Sequence, residues 1–290
     1  MLVATDDDNT LRVYDAAKGG APLSAFDLGP ALKLSANAKE LDIEGATTVD
    51  DTVLWITSHA PTSKAKAAPN RYRFFGTRLD RGAKQPVVEL VGDAYADLTT
   101  EMEKVPDLKP LLARQEDAPE SVGAFNIESI ALAEDRSLLI GLRNPIPKGK
   151  AVIVPLTNPL AVLHGARPAF DHPIMIDLGG RGVRDMTWSA SMKSFIVTAG
   201  AFDAERNFAF YRWSGKRNDA PVPLTNMNPG SLGPESVTLF GNDTALVLSD
   251  DGDELETYAG MNTPTICKDL PAQFRTFRGQ RWPEKTRQLR

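Results

Sequence analysis

The chain has 290 residues, enough for one large domain or two small ones, and a single all-β domain of this size is ordinary. Its 33 Lys and Arg against 38 Asp and Glu leave a net charge of −5, which gives no general attraction for a phosphate backbone, so nucleic acid is not an expected partner. With 42% hydrophobic and 24% charged residues the chain can bury a core. No apolar run approaches the roughly 18 residues that cross a bilayer, and the one cysteine, Cys267, permits neither an internal disulfide nor a Cys-based zinc site.

Met1 to Thr5 run directly into Asp6, Asp7 and Asp8, without the basic and apolar regions of a secretory leader, so the default location is cytoplasmic. A chain trimmed at its start would look the same and would admit a secreted or periplasmic protein. Next come four segments that share one pattern: Asp42-Ile-Glu44-Gly-Ala-Thr-Thr-Val49, Asn126-Ile-Glu128-Ser-Ile-Ala-Leu-Ala133, Val183-Arg-Asp185-Met-Thr-Trp-Ser189 and Gly233-Pro-Glu235-Ser-Val-Thr-Leu-Phe240. Each sets a carboxylate ahead of an alternating stretch, then a polar turn, then a second apolar strand. These second strands are Val53 to Thr57, Leu138 to Leu142, Phe195 to Ala199 and Ala245 to Ser249. Counting 15 residues on from each carboxylate reaches His59, Arg143, Gly200 and Asp250, which reads as a single register kept in all four copies.

A third strand is expected at Arg71 to Leu79, Ala151 to Leu156, Phe208 to Trp213 and Leu255 to Tyr258, and a fourth at Pro86 to Val91, Pro173 to Leu178 and Val222 to Thr225. Four short antiparallel strands per unit of about 40–50 residues is the pattern of a β-propeller blade. The chain start belongs to the same series, because Leu2 to Asp7 and Leu11 to Tyr14 align with Leu246 to Asp251 and Leu255 to Tyr258. On that alignment the first blade holds its second, third and fourth strands, and its inner strand would lie before Met1. Either a C-terminal segment near Phe274 to Phe277 supplies it or the chain continues upstream. The lack of a carboxylate-led motif in the C-terminal segment favours the upstream source. The expectation is one all-β domain over residues 1–290, a β-propeller with five recognisable four-stranded blades, the first incomplete. Residues 97–115 break the β pattern, with Leu98, Met102, Val105, Leu108 and Leu112 at helical spacing and Pro106 and Pro110 interrupting, which predicts a short helical insertion over blade edges.

The start of the first strand of an antiparallel pair lies beside the end of the second, and the first strand of a propeller blade lines the central channel. Glu44, Glu128, Asp185 and Glu235 are therefore expected to converge at one channel mouth, with His59, Arg143 and Asp250 beside them and Asp185 facing the small Gly200. Gathered carboxylates repel, so the cluster needs compensation. Arg143, Arg184 and His59 could supply it as structural ion pairs. A hard cation such as Ca²⁺ or Mg²⁺, held by Glu44, Glu128, Asp185 and Glu235, would do so equally. Structural, ligand-binding and acid/base roles all stay open at this stage. The three histidines have no metal-ligand spacing, and no nucleophile elbow, phosphate loop or dinucleotide fingerprint occurs. Gly179-Gly180-Arg181-Gly182 reads as a turn between blades, Asp250 to Glu254 as a hairpin tip, and the basic excess from Arg275 to Arg290 as a solvated tail.

The combination of Asp42-Ile-Glu44-Gly, Trp55-Ile-Thr-Ser58-His59, Asn126-Ile-Glu128-Ser and Leu139-Ile-Gly-Leu-Arg143-Asn-Pro145 with Gly149-Lys-Ala-Val-Ile153 resembles a bacterial family known as domain of unknown function 3616. Asp6-Asp7-Asp8-Asn9-Thr-Leu11-Arg-Val-Tyr14 is similar to that family's start, and Ser129 stands where the family has Gly. The resemblance implies a β-propeller and brings no activity with it. More distantly, the carboxylate-led blades resemble esterase-like phytase and gluconolactonase propellers, in which channel carboxylates hold a divalent cation. The leading functional expectation is a binding scaffold whose acidic channel mouth receives a small ligand, a cation or a peptide segment. The alternative is a metal-dependent hydrolase of a lactone or phosphoester, with a channel carboxylate or His59 as base.

Overall fold

Alternating apolar positions between polar turns build twenty short strands among the described residues, all paired antiparallel. The computed structural model describes residues 1–4, 8–35, 40–80, 82, 86–240, 244–257, 263–271 and 274–282. Blade one is the sheet β1 (Leu2–Val3), β2 (Thr10–Val13) and β3 (Ser24–Asp27). Blade two is β4 (Ile43–Val49), β5 (Thr52–Thr57), β6 (Phe74–Asp80) and β7 (Val87–Tyr95). Blade three is β8 (Asn126–Leu132), β9 (Leu138–Asn144), β10 (Ala151–Leu156) and β11 (Ile174–Ile176). Blade four is β12 (Gly182–Ser189), β13 (Ser194–Gly200), β14 (Ala209–Trp213) and β15 (Val222–Pro223). Blade five begins with β16 (Pro234–Phe240) and β17 (Thr244–Ser249). The five sheets stand in a ring as a five-bladed β-propeller, with β4, β8, β12 and β16 packed in that order around the channel.

Blade five departs from expectation at its third strand. Leu255 starts β18 (Leu255–Glu256), which pairs with β19 (Thr265–Ile266) in a separate hairpin, and β17 pairs instead with β20 (Gly279–Trp282). The substitution has a packing reason. Leu255 is 68% exposed, whereas Trp282 is buried against Phe210 of blade four, so β20 carries the apolar face that the blade needs. Tyr258 and the turn Gly241-Asn242-Asp243 lie outside the described residues. The stretch read as a solvated tail thus supplies a strand, and the Phe274 to Phe277 segment adds none to blade one. β1 pairs β2 with Leu2 opposite Val13, and among the described residues no strand lies on the inner side of β1.

Separate apolar clusters join consecutive blades. Leu11, Val13, Leu28, Ile43, Trp55 and Phe75 join blades one and two, and a second cluster including Phe74, Ile127, Ile140 and Val152 joins blades two and three. Leu98, Met102, Leu108, Leu111 and Leu112 of the insertion are buried in that second cluster, so its helix Leu98–Met102 and the 3₁₀ turn Lys109–Leu112 plug the seam as expected. Val183, Val197 and Trp213 join blades three and four, and Phe210, Val237, Val247 and Trp282 join four and five. Blade five meets blade one through an edge-to-face contact of Tyr14 with Phe277, at 5.6 Å between ring centroids, and through Arg281 donating to the Ala16 carbonyl.

Candidate functional site

Every complete inner strand carries a β-bulge near its start. The ladder shifts between Ile43 and Gly45, Ile127 and Ser129, Val183 and Asp185, and Pro234 and Ser236, so the bulged residues are Glu44, Glu128, Arg184 and Glu235. A bulge leaves one residue outside the ladder and re-aims its side chain. All four of these residues line one cavity of about 2470 Å³ that fills the channel and its mouth.

This arrangement corrects two readings of the sequence. Arg184, not Asp185, is the fourth member of the ring, and the residues equivalent to Asp185 are Gly45, Ser129 and Ser236. The hairpins differ in length, closing at Val49 with Thr52 in blade two but at Ser189 with Ser194 in blade four, so an equal count of residues is not an equal register. The strand-two partners of the residues before each bulge are Thr57, Leu142, Ala199 and Ser249. One step on stand Ser58, Arg143, Gly200 and Asp250, which leaves His59 one position too far. Gly200 makes room for Arg184 rather than Asp185, since a Cβ there would lie 2.8 Å from Arg184 Cγ.

Arg184 is the centre of the cluster. It is 9% exposed, its Nη1 lies 3.6 Å from Glu128 Oε1, its Nη2 donates to Glu235 Oε1, and its guanidinium sits 5.8 Å from the Phe208 ring centroid. Burial alone would lower its pKa, but the fields of Glu128, Glu235 and Glu44 outweigh that and raise it. Nε has no hydrogen-bond partner. Glu128, 3% exposed, also accepts from Asn126 Nδ2 at 2.8 Å and Arg143 Nη1 at 3.2 Å. Arg143 is consumed further by Glu120 at 3.3 Å, the Ala201 carbonyl and the Asp203 carbonyl at 2.7 Å, and so ties blade three to the loop after β13.

Asp185 points along the blade seam. It accepts from the amides of Met186 at 2.8 Å and Val237 at 2.6 Å and from Ser129 Oγ at 3.3 Å, which gives Ser129 a role that glycine could not fill. Burial raises its pKa to about 7 against those bonds, and Glu235 is likewise raised, by burial and by Glu128, against Arg184. Asp250 lines the cavity and accepts from the Gly252 amide at 2.8 Å. His59 is fully buried outside the cavity lining, in a left-handed conformation with φ of 51°, edge-on to Tyr72. Its Nδ1–H donates to the Thr57 carbonyl at 2.8 Å, Nε2 has no partner, and burial lowers its pKa to about 4.

Two ion pairs were missed in the sequence. Asp42, 8% exposed, is held by Arg71 at 2.7 Å, and Glu40 binds the same guanidinium. Asp251, read as part of a hairpin tip, is 4% exposed and bonds Ser249 Oγ at 2.7 Å and the guanidinium and amide of Arg278. The only available signal was the excess of arginine over lysine near the C-terminus, which gives no address for a partner. Among the described residues no three His, Cys, Asp or Glu side chains are grouped to hold a metal ion, and no helix is long and apolar enough to cross a membrane.

Fold and ring define a five-bladed β-propeller with a charged channel mouth. The family described as protein of unknown function (DUF3616) matches residues 80–232, and the chain belongs to that family. No curated protein matches the chain. Two solved structures of Trypanosoma rangeli sialidase, one with 2-keto-3-deoxy-D-glycero-D-galacto-2,3-difluoro-nononic acid and one with 2,3-difluorosialic acid as a covalent intermediate, are similar at 10% identity with a TM-score of 0.41. The match covers 84% of this chain and 38% of each sialidase chain, so the chain spans well under half of their length.

Proposed function

We propose that the protein is a binding scaffold whose channel mouth receives a positively charged polypeptide segment. The observation that carries this reading is the excess of carboxylates in the lining of one wide cavity, where fifteen Asp and Glu, Glu44, Glu128, Asp185, Glu235 and Asp250 among them, stand against nine Lys and Arg among the described residues. A volume of about 2470 Å³ exceeds the range of about 300–1,000 Å³ usual for small-molecule pockets, and suits a longer ligand. An excess of carboxylates at a low-dielectric mouth favours cations and steers them to it.

The rival reading, a metal-dependent hydrolase using Ca²⁺ or Mg²⁺, needs a coordination position beside a free base. It draws less support, because Glu128 and Glu235 are engaged by arginines and Asp185 by backbone amides. Fluorescence anisotropy with labelled peptides that differ only in Arg, Gln or Glu at one position tests the scaffold. The Arg peptide should bind best, and Glu235→Gln should weaken it by about tenfold, as expected for loss of one charged contact. Equal affinity for the Glu peptide would contradict the proposal. Turnover of lactone or phosphoester substrates in the presence of Ca²⁺, Mg²⁺ or Mn²⁺ would favour the hydrolase.

A further inference from the structure

Residues 201–208 connect β13 to β14 at the channel mouth. Ala201, Asp203, Arg206 and Phe208 of this strap line the cavity, and the Phe208 ring lies against the guanidinium of Arg184. Gly200 makes that overlap possible. A Cβ there would meet Arg184 Cγ at 2.8 Å and Phe208 Cδ1 at 3.0 Å, so both side chains nest in the space that glycine leaves.

The way the strap is held sets it apart from the insertion at 97–115. The insertion sinks Leu98, Met102 and Leu112 into an apolar cluster, whereas no side chain of residues 201–208 is buried. Arginines from three sides tie the strap instead. Arg143 of blade three donates to the Ala201 and Asp203 carbonyls at 3.3 and 2.7 Å. Arg206 of the strap reaches the Ser231 carbonyl at 3.0 Å and Glu254 at 2.9 Å, and Arg181 donates to the Asn207 carbonyl at 3.1 Å and to its Oδ1 at 2.6 Å. An exposed ion pair contributes about 0.2–1 kcal/mol, and segments with few buried apolar contacts open first.

The closed strap leaves donors unused beneath it. Arg184 is 9% exposed and its Nη2 donates to Glu235, but Nε and Nη1 are buried with no hydrogen-bond partner among the described residues. A buried donor left unmade carries its full desolvation penalty, so an acceptor that reached these two N–H groups would be favoured. The surroundings select the acceptor. Glu128, Glu235 and Glu44 all act on Arg184, so an anionic group arriving there meets like charges, whereas a neutral carbonyl oxygen does not. A polypeptide backbone offers such oxygens.

We infer that residues 201–208 are a lid whose opening uncovers Arg184 and presents its Nε–H and Nη1–H to a backbone carbonyl of the bound segment. The lid stands on the geometry of the strap alone. The carbonyl assignment rests on the reading that the channel takes a polypeptide segment, and adds to it a contact that is independent of the ligand's charge.

Phenylglyoxal labelling read by peptide mass spectrometry tests the lid without any ligand. In the wild-type protein Arg184 should label more slowly than the exposed Arg212 by about tenfold or more. Phe208→Ala should largely remove that difference. Asn207→Ala removes a neutral tie at an exposed position outside the cavity lining, and should speed labelling of Arg184 by about fivefold while moving the melting temperature by no more than a few degrees. Wild-type labelling as fast as at Arg212, or an unchanged slow rate in folded Asn207→Ala, would overturn the lid. Arg-bearing peptides with one amide at a time replaced by a trans-alkene then test the carbonyl. Replacement at one bond should weaken binding by about tenfold and abolish the protection that the parent peptide gives Arg184 in Phe208→Ala, and an ester at the same bond, which keeps a carbonyl, should restore most of the affinity. If no bond is sensitive, the carbonyl assignment is wrong and the lid stands. If no Arg peptide binds while Arg184 labels as expected, the channel reading and the carbonyl assignment fail together, and the lid again stands.

Discussion

Arg184 holds the mouth of the channel together, and its removal tests that role at the scale of one residue. Breaking a buried ion pair from one side leaves the other charges uncompensated and costs about 3–5 kcal/mol. Arg184→Met is expected to lose stability of that order by urea denaturation. Glu235→Gln, at a side chain that is itself 29% exposed, should lose clearly less. His59 gives a prediction with a definite sign. Its pKa falls from the ordinary value of about 6.5 to about 4 on folding, so between those pH values the unfolded chain binds a proton that the native state refuses. Its contribution to stability is full above pH 6.5 and is lost as pH falls, at about 1.4 kcal/mol per unit. Asp185 and Asp42, both raised by burial, act in the opposite sense, losing stability as pH rises toward about 7 and about 6. Comparing wild type with His59→Asn, a residue that tolerates positive φ, isolates the histidine. The stability advantage of wild type should shrink between pH 6.5 and pH 4, and a constant gap would contradict the buried neutral imidazole.

At the scale of the element, the bulge is the repeating device. It was invisible in the sequence because it is defined by pairing, not by residue type, and its bulged position is Glu in three blades and Arg in one. The apolar alternation of β4, β8, β12 and β16 was legible because each must bury one face against the next blade. The third strand of blade five was not, since Leu255 and Gly279 both open plausible short strands and only the burial of Trp282 decides between them. Inner strands also approach closely at the bulge. A Cβ on Gly45 would lie 2.7 Å from the Ile130 amide nitrogen, a backbone atom that cannot swing aside. Gly45→Ala should therefore destabilise by about 1–3 kcal/mol as an overpacked contact, measurable as a lowered melting temperature, and no change would show that blades two and three can separate freely.

At the scale of the whole molecule, the ring is unevenly closed. Apolar clusters join blades one to two, two to three, three to four and four to five, whereas five and one meet through Tyr14 with Phe277 and Arg281 with Ala16. Local opening follows the density of buried apolar contact. Hydrogen exchange is thus expected to be fastest in β1–β3 and β18–β20 and slowest in β8–β10, and uniform protection around the ring would contradict this order. That seam is also the place where the cavity reaches β1, which couples the weakest junction of the fold to the proposed binding site. The five-blade count was readable from the chain because repeats persist even where one strand is absent, but the seam depends on contacts between residues more than 250 positions apart, such as Tyr14 with Phe277, that no local pattern announces.

The central claim, that carboxylates of the channel mouth bind a cation-bearing segment, is tested most directly by the affinity of the Arg peptide as a function of pH. Glu235 has its pKa raised by burial, so it loses charge on mild acidification while arginine keeps its own. The dissociation constant should rise by about tenfold from pH 8 to pH 5.5, and Glu235→Gln should flatten that dependence. An affinity that stays constant across this range in the wild-type protein, or that rises on acidification, would contradict the account.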